Sequence, residues 1–168
     1  MLYLLDANVL IDANRDYYPI ARVPEFWDWL VHNGSAGFVK MPIEVYEEIE
    51  DGKDDLGVWA RSIEVKRALL LDELANAELV SQVVDRGYAS DLADDEVAKL
   101  GRDPFLIAYA LYDATVRCVV TTERSKPKRR RANRHVPDVC DDLDILWEDT
   151  FGFLRALDFK TDWNSGKP

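Results

Sequence analysis

The stretch LYLLDANVLI, residues 2–11, decides the fold. Four residues from Leu2 to Leu5 form an apolar run that stops at Asp6, and apolar character returns behind it. A run this short and this apolar reads as a strand buried on both faces, as in parallel sheets. Asp6 or Asn8 is then placed to cap a helix reaching about residue 14.

Working outward, three more short apolar runs read as strands: 37–41 (GFVKM), 118–121 (CVVT) and 144–147 (DILW). Helical patterns lie between and after them. One spans 24–34, opened by Pro24 and stopped at Gly34; another follows Pro42 and is closed by Gly52. Further helices are expected over 56–63, 68–86, 91–100, 103–115 and 150–157. Strands alternating with helices predict one α/β domain with a short central parallel sheet covered on both faces, residues 1–160. The polar tail 161–168 is expected to fray.

Composition narrows the classes. A chain of 168 residues, 48% hydrophobic, can bury a core of its own. No apolar run approaches the roughly 18 residues of a membrane span, and no secretory leader is expected at the N-terminus, so the chain reads as cytoplasmic, without a membrane partner. Cys118 and Cys140 lack metal-ligand spacing and read as reduced, partly buried thiols. The net charge of −11 argues against nucleic acid, but its distribution does not. Residues 124–135, RSKPKRRRANRH, hold seven of the 21 Lys and Arg and none of the 32 acids. Such a strip is either a solvated loop or a polyanion contact through Lys126, Lys128, Arg129, Arg130, Arg131 and Arg134.

In open α/β sheets, sites form outside the carboxyl ends of the strands. Asp6 follows the first strand; Glu44, Glu47 and Glu48 lie on the helix after the second; Asp103 opens the helix before the third; Thr121, Thr122 and Glu123 follow that third strand. Converging carboxylates repel, and a divalent cation such as Mg²⁺ or Mn²⁺ relieves the repulsion with oxygen ligands. Each acid has a plainer role as well. Asp103 before Pro104 reads as an N-cap, Glu44 and Glu48 as a solvated helix face, and the Thr121 and Thr122 hydroxyls as strand-end hydrogen-bonding groups.

These segments resemble the PIN domain, the small nuclease fold of VapC-type toxins, including a subgroup of poorly characterised function. LYLLDANVLI with Asp6 looks like the opening strand and first acid; MPIEVYEEIEDG, with Glu48-Ile49 and Gly52, like the second unit; RDPFLIAYAL with Asp103 like the third acid; CVVTTE with Glu123 like the last strand and its polar cluster. The resemblance implies a PIN-like three-layer α/β/α fold and a metal-dependent (Mg²⁺ or Mn²⁺) ribonuclease that hydrolyses phosphodiester bonds, the toxin of a toxin–antitoxin pair. Asp6 and Asp103 would ligate the ion, with Glu48 and Glu123 completing its shell. The family usually has Asp where Glu123 stands, which makes Asp138, in HVPDVC, a second candidate for the fourth acid; Glu44 is the reserve for Glu48. Expected partners are an RNA substrate, an antitoxin protein and a second copy of the chain in a homodimer.

Two other readings compete. A haloacid-dehalogenase-type phosphatase also begins with a strand ending in Asp, but needs D-x-D, and Asn8 stands at the second position. A catalytically inactive PIN-like scaffold or partner-binding module is the non-enzyme alternative.

Overall fold

The computed structural model describes residues 1–165. Strands β1 (Leu2–Leu5), β2 (Val39–Lys40), β3 (Arg117–Val120) and β4 (Leu146–Glu148) form one sheet in the order β2-β1-β3-β4, every pairing parallel. The central pair is in register from Leu2 opposite Arg117 to Leu5 opposite Val120. Leu4, Leu5, Val119 and Val120 are fully buried, which accounts for the unbroken apolar runs in the sequence. Arg117 interrupts the apolar character of β3. Its guanidinium donates to both Glu73 carboxylate oxygens at 2.9 and 2.8 Å and to the Tyr109 carbonyl at 2.9 Å, which satisfies the buried charge.

Helices cover the sheet on both faces, giving three layers around a short central parallel sheet. In chain order they are α1 (Ala7–Asp12, running on as a π-helical turn over Ala13–Tyr17), α2 (Pro24–Ser35), α3 (Ile43–Glu50), α4 (Asp55–Ala60), α5 (Ile63–Leu69), α6 (Ala77–Val83, followed by a π-helical turn over Val84–Tyr88), α7 (Asp94–Lys99), α8 (Asp103–Leu111), α9 (Val136–Asp142) and α10 (Thr150–Ala156). Phe26, Trp27, Tyr46 and Phe153 are the largest side chains sealed in this core.

Several expected boundaries moved. The single helix expected over 68–86 is two helices with an extended link. Ser62 caps the start of α5, Leu70 turns extended, and Met41 takes up the link by accepting from Leu71 N–H at 2.9 Å and donating to the Leu69 carbonyl at 2.7 Å. Asn76 then caps α6 by accepting from Glu78 and Leu79 N–H. Cap chemistry and sheet-edge pairing thus override a continuous helical period. Gly34 does not stop α2 but lies inside it. A Cβ there would stand 2.7 Å from the Ala68 carbonyl oxygen, so this glycine lets α2 and α5 approach. Helix α9, with Pro137 in its first turn, was not expected from the sequence. The tail is tied down as far as it is described: Trp163 Nε1 donates to the Glu25 carbonyl at 3.0 Å, and its ring lies 5.0 Å from that of His32. Positions 166–168 of the expected tail lie outside the described residues. Both cysteines are free and buried. Among the described residues no helix is long and apolar enough to cross a membrane.

Candidate functional site

Chain order and sheet order diverge at β1, which has β2 on one side and β3 on the other. A crevice forms at such a switch, outside the carboxyl ends of the two central strands. Asp6 leaves β1 there, its N–H donating to the Val120 carbonyl at 2.9 Å. Thr121 leaves β3 beside it. The fully buried Thr121 hydroxyl donates to Asp6 Oδ2 at 3.0 Å and accepts from the Glu123 N–H at 3.2 Å. One side chain therefore orients the first acid and the loop that carries the fourth. This is the strand-end role expected of a threonine here, performed within the acid cluster.

Asp6 is 6% exposed. Burial pushes its carboxyl above the ordinary value, the Thr121 hydroxyl opposes that, and Glu123 adds to the rise. Asp103 is pushed up to about 8, first by burial and then by the charges of Asp6, Glu123 and Glu48. It is not the N-cap of α8: Arg102 holds that position, and Asp103 is the first helical residue with Pro104 after it. Its carboxylate is thus free of the capping role and faces the other acids. Glu48 stands at the exposed rim of α3, raised by lost solvation on its inner side and by Asp6, and lowered by Arg102. Glu123 accepts from Val136 N–H at 2.7 Å and lies 3.7 Å from His135 Nδ1. Asp6, Glu48, Asp103 and Glu123, from four segments of the chain, therefore share one electrostatic environment.

The reserve acids lie elsewhere. Asp138 accepts from the Ser125 hydroxyl at 2.6 Å and from Lys126 N–H at 2.8 Å, so it pins the start of the basic strip and is not the fourth acid of the cluster. Glu44, one turn before Glu48, faces Tyr109 and raises its hydroxyl pKa; its charge does not figure in the shifts of Asp6 or Asp103. Thr122 is half-buried beside Glu123.

The basic strip divides by role. Arg131 pairs with Glu96 at 2.7 Å and with Asp91 at 2.6 Å, and Arg134 pairs with Asp142 at 2.7 Å while donating to the Gly87 and Asp138 carbonyls. These two arginines fasten the strip to the body instead of offering charge to a polyanion, a correction to their expected role. Arg130 donates to the Pro127 and Arg129 carbonyls within the loop. Lys126, Lys128 and Arg129 are exposed and enter no ion pair among the described residues.

Tyr88 carries no motif and was not anticipated. It closes the π-helical turn after α6 and is 7% exposed; its hydroxyl has no hydrogen-bond partner among the described residues. Burial, with the charges of Asp103, Cys140 and Glu123, pushes that hydroxyl well above its ordinary value. His135 Nδ1 is a second orphaned buried atom beside Glu123.

The donor set suits a hard divalent cation: all four acids are oxygen ligands, and their mutual repulsion is what such an ion relieves. The buried Tyr88 hydroxyl, without a partner among the described residues, feels the Asp103 charge. Among the described residues, however, no group of three His, Cys, Asp or Glu side chains that could hold a metal ion is assembled. The acids act on one another electrostatically without being closed on one point.

No curated protein and no solved structure matches the chain. A family model described as a domain of unknown function, DUF4411, matches residues 3–161, nearly the whole chain, which therefore belongs to the DUF4411 family.

Proposed function

We propose that this chain is a Mg²⁺- or Mn²⁺-dependent ribonuclease that hydrolyses phosphodiester bonds in the cleft between β1 and β3, and that it acts as the toxin of a toxin–antitoxin pair. The observation that carries the nuclease reading is the meeting of acids at the adjacent ends of β1 and β3, where the Thr121 hydroxyl joins Asp6 at 3.0 Å and the Glu123 N–H at 3.2 Å and where Asp6, Glu123 and Glu48 help to raise the Asp103 carboxyl. Four acids spread over the sequence act on one another at the switch point of a parallel sheet, where this architecture places its sites. The toxin role rests on the PIN resemblance alone.

A divalent cation bound here supplies a water of lowered pKa and a counter-charge for the phosphate. The chain's own groups do the positioning. Asp6 and Asp103 would hold the ion, Asp6 with its orientation fixed by Thr121. Glu48, at the open rim, and Glu123, tethered by Val136 N–H, would complete the shell and accept the proton of the attacking water. The Tyr88 hydroxyl, unpartnered among the described residues, would donate to a polar group of the bound substrate. Lys126, Lys128 and Arg129 would meet phosphates flanking the cleft.

The test is cleavage of labelled single-stranded RNA by purified protein. Cutting should require Mn²⁺ or Mg²⁺, stop in EDTA, and be lost in Asp6→Asn. A second reading, a PIN-like module that binds a partner without catalysis, is favoured by the open spacing of the acids. It predicts no cleavage under any of these conditions.

A further inference from the structure

We infer that the aromatic groove beside Glu123 takes an unpaired nucleobase of the strand whose phosphate lies in the carboxylate cleft; this rests on the nuclease reading and names how that site would hold its substrate. The groove, about 320 Å³, opens between the ends of β3 and β4, and it is lined by Glu123, whose charge acts on Asp6 and Asp103. Tyr17, from the turn after α1, and Phe151, from the first turn of α10, flank it. Their rings are 5.5 Å apart and near perpendicular, yet they stay 46% and 47% exposed. Two large rings left in water at the mouth of a candidate site contribute less to the core than their size allows. Trp147 forms a fixed wall, its indole N–H donating to Asp141 at 2.8 Å. Arg124, exposed at the edge, supplies positive charge where a sugar-phosphate would leave the groove.

The occupant follows from size and chemistry. A single planar base fits a groove of this size, and aromatic faces stack on any base without needing its hydrogen-bonding edge. Bases held this way must be out of a duplex, which selects single-stranded substrate.

The test uses a fluorescent, cleavage-resistant phosphorothioate RNA strand in Mg²⁺, together with the same strand carrying abasic positions. Wild type should prefer the intact strand by about tenfold, the size of one aromatic–base stack. In Tyr17→Ala/Phe151→Ala that preference should vanish while the protein stays folded, its melting temperature lowered only modestly because about half of each ring is exposed. Tyr17→Phe, which keeps the ring, should bind as wild type does. Undiminished binding by the double variant would overturn the inference. So would equal wild-type affinity for intact and abasic strands, which would give the groove to a protein partner. Cleavage of ordinary RNA by wild type separates the two levels: if RNA is cut and the preference is absent, the groove inference falls alone; if RNA is neither bound nor cut, both readings fall.

Discussion

The Thr121 hydroxyl joins Asp6 across 115 residues of sequence, donating to Oδ2 at 3.0 Å from the neighbouring strand end. The same oxygen accepts the Glu123 N–H at 3.2 Å. Replacing it with Val at nearly constant volume leaves one acceptor and one donor unmatched in a buried place. Thr121→Val should therefore cost about 1–3 kcal/mol in urea unfolding, and Thr121→Ser, which keeps the hydroxyl, markedly less. A larger loss in Thr121→Ser than in Thr121→Val would assign the residue's contribution to its methyl group instead.

Asp103 makes stability depend on pH. Its folded pKa is raised to about 8 from an ordinary value of 3.8, so between those limits the folded state holds the proton more tightly than the unfolded chain. Stability without metal is then highest below about pH 4 for this group and declines as pH rises toward 8. Asp6 and Glu48 are raised as well and act in the same direction. Glu96, pulled down to about 2 by Arg131, is ionised in both states above about pH 5 and adds no slope there. Unfolding in EDTA should show Asp103→Asn more stable than wild type by about 2 kcal/mol at pH 8, with the gap closing at pH 5. An equal gap at both pH values would contradict the shift.

Glu48 and Glu44 sit one turn apart on α3 but face different neighbours. Glu48 feels Asp6, while Glu44 meets Tyr109. Mn²⁺ titration should give a clearly weakened affinity for Glu48→Gln and a wild-type affinity for Glu44→Gln. The reverse order would move the second acid to Glu44.

The basic strip should split under mutation. Lys128→Ser/Arg129→Ser removes exposed charges without ion-pair partners. It should flatten the salt dependence of single-strand RNA binding by up to about 1.4 in log–log slope and leave the melting temperature unchanged. Arg134→Ala removes donors to the Gly87 and Asp138 carbonyls and the pair to Asp142, so it should lower the melting temperature and speed proteolysis within 124–135. A melting temperature unchanged by Arg134→Ala would deny the fastening role.

How much of this the sequence carried depends on where each signal resides. Asp6 is legible because an apolar run ending in an acid marks a strand end locally, and Glu123 because it follows the Thr121 and Thr122 that close the third apolar run. Asp103 is legible as an acid opening a helix, but Pro104 suggested a cap that the backbone places at Arg102 instead. Glu48 was separable from Glu44 only through its spacing to Gly52. Tyr88 gave no signal, because its surroundings arise only on folding: a π-helical turn buries its hydroxyl where it feels the charges of Asp103 and Glu123. Asp138 and Arg131 misled for a related reason. Their residue types suit metal and phosphate, and only the fold shows them bonded to Ser125 and Glu96. The 68–86 helix failed because apolar periodicity cannot register that Leu70 is pulled into a sheet edge by Met41.

The most direct measurement is calorimetric titration of Mn²⁺ into the metal-free protein at pH 8, repeated with Asp6→Asn and Asp103→Asn. Saturable binding by wild type, lost or greatly weakened in both variants while each remains folded, is the predicted result. Absence of saturable binding by wild type, or binding that both variants retain at wild-type strength, would contradict the assignment of these carboxylates to a cation site.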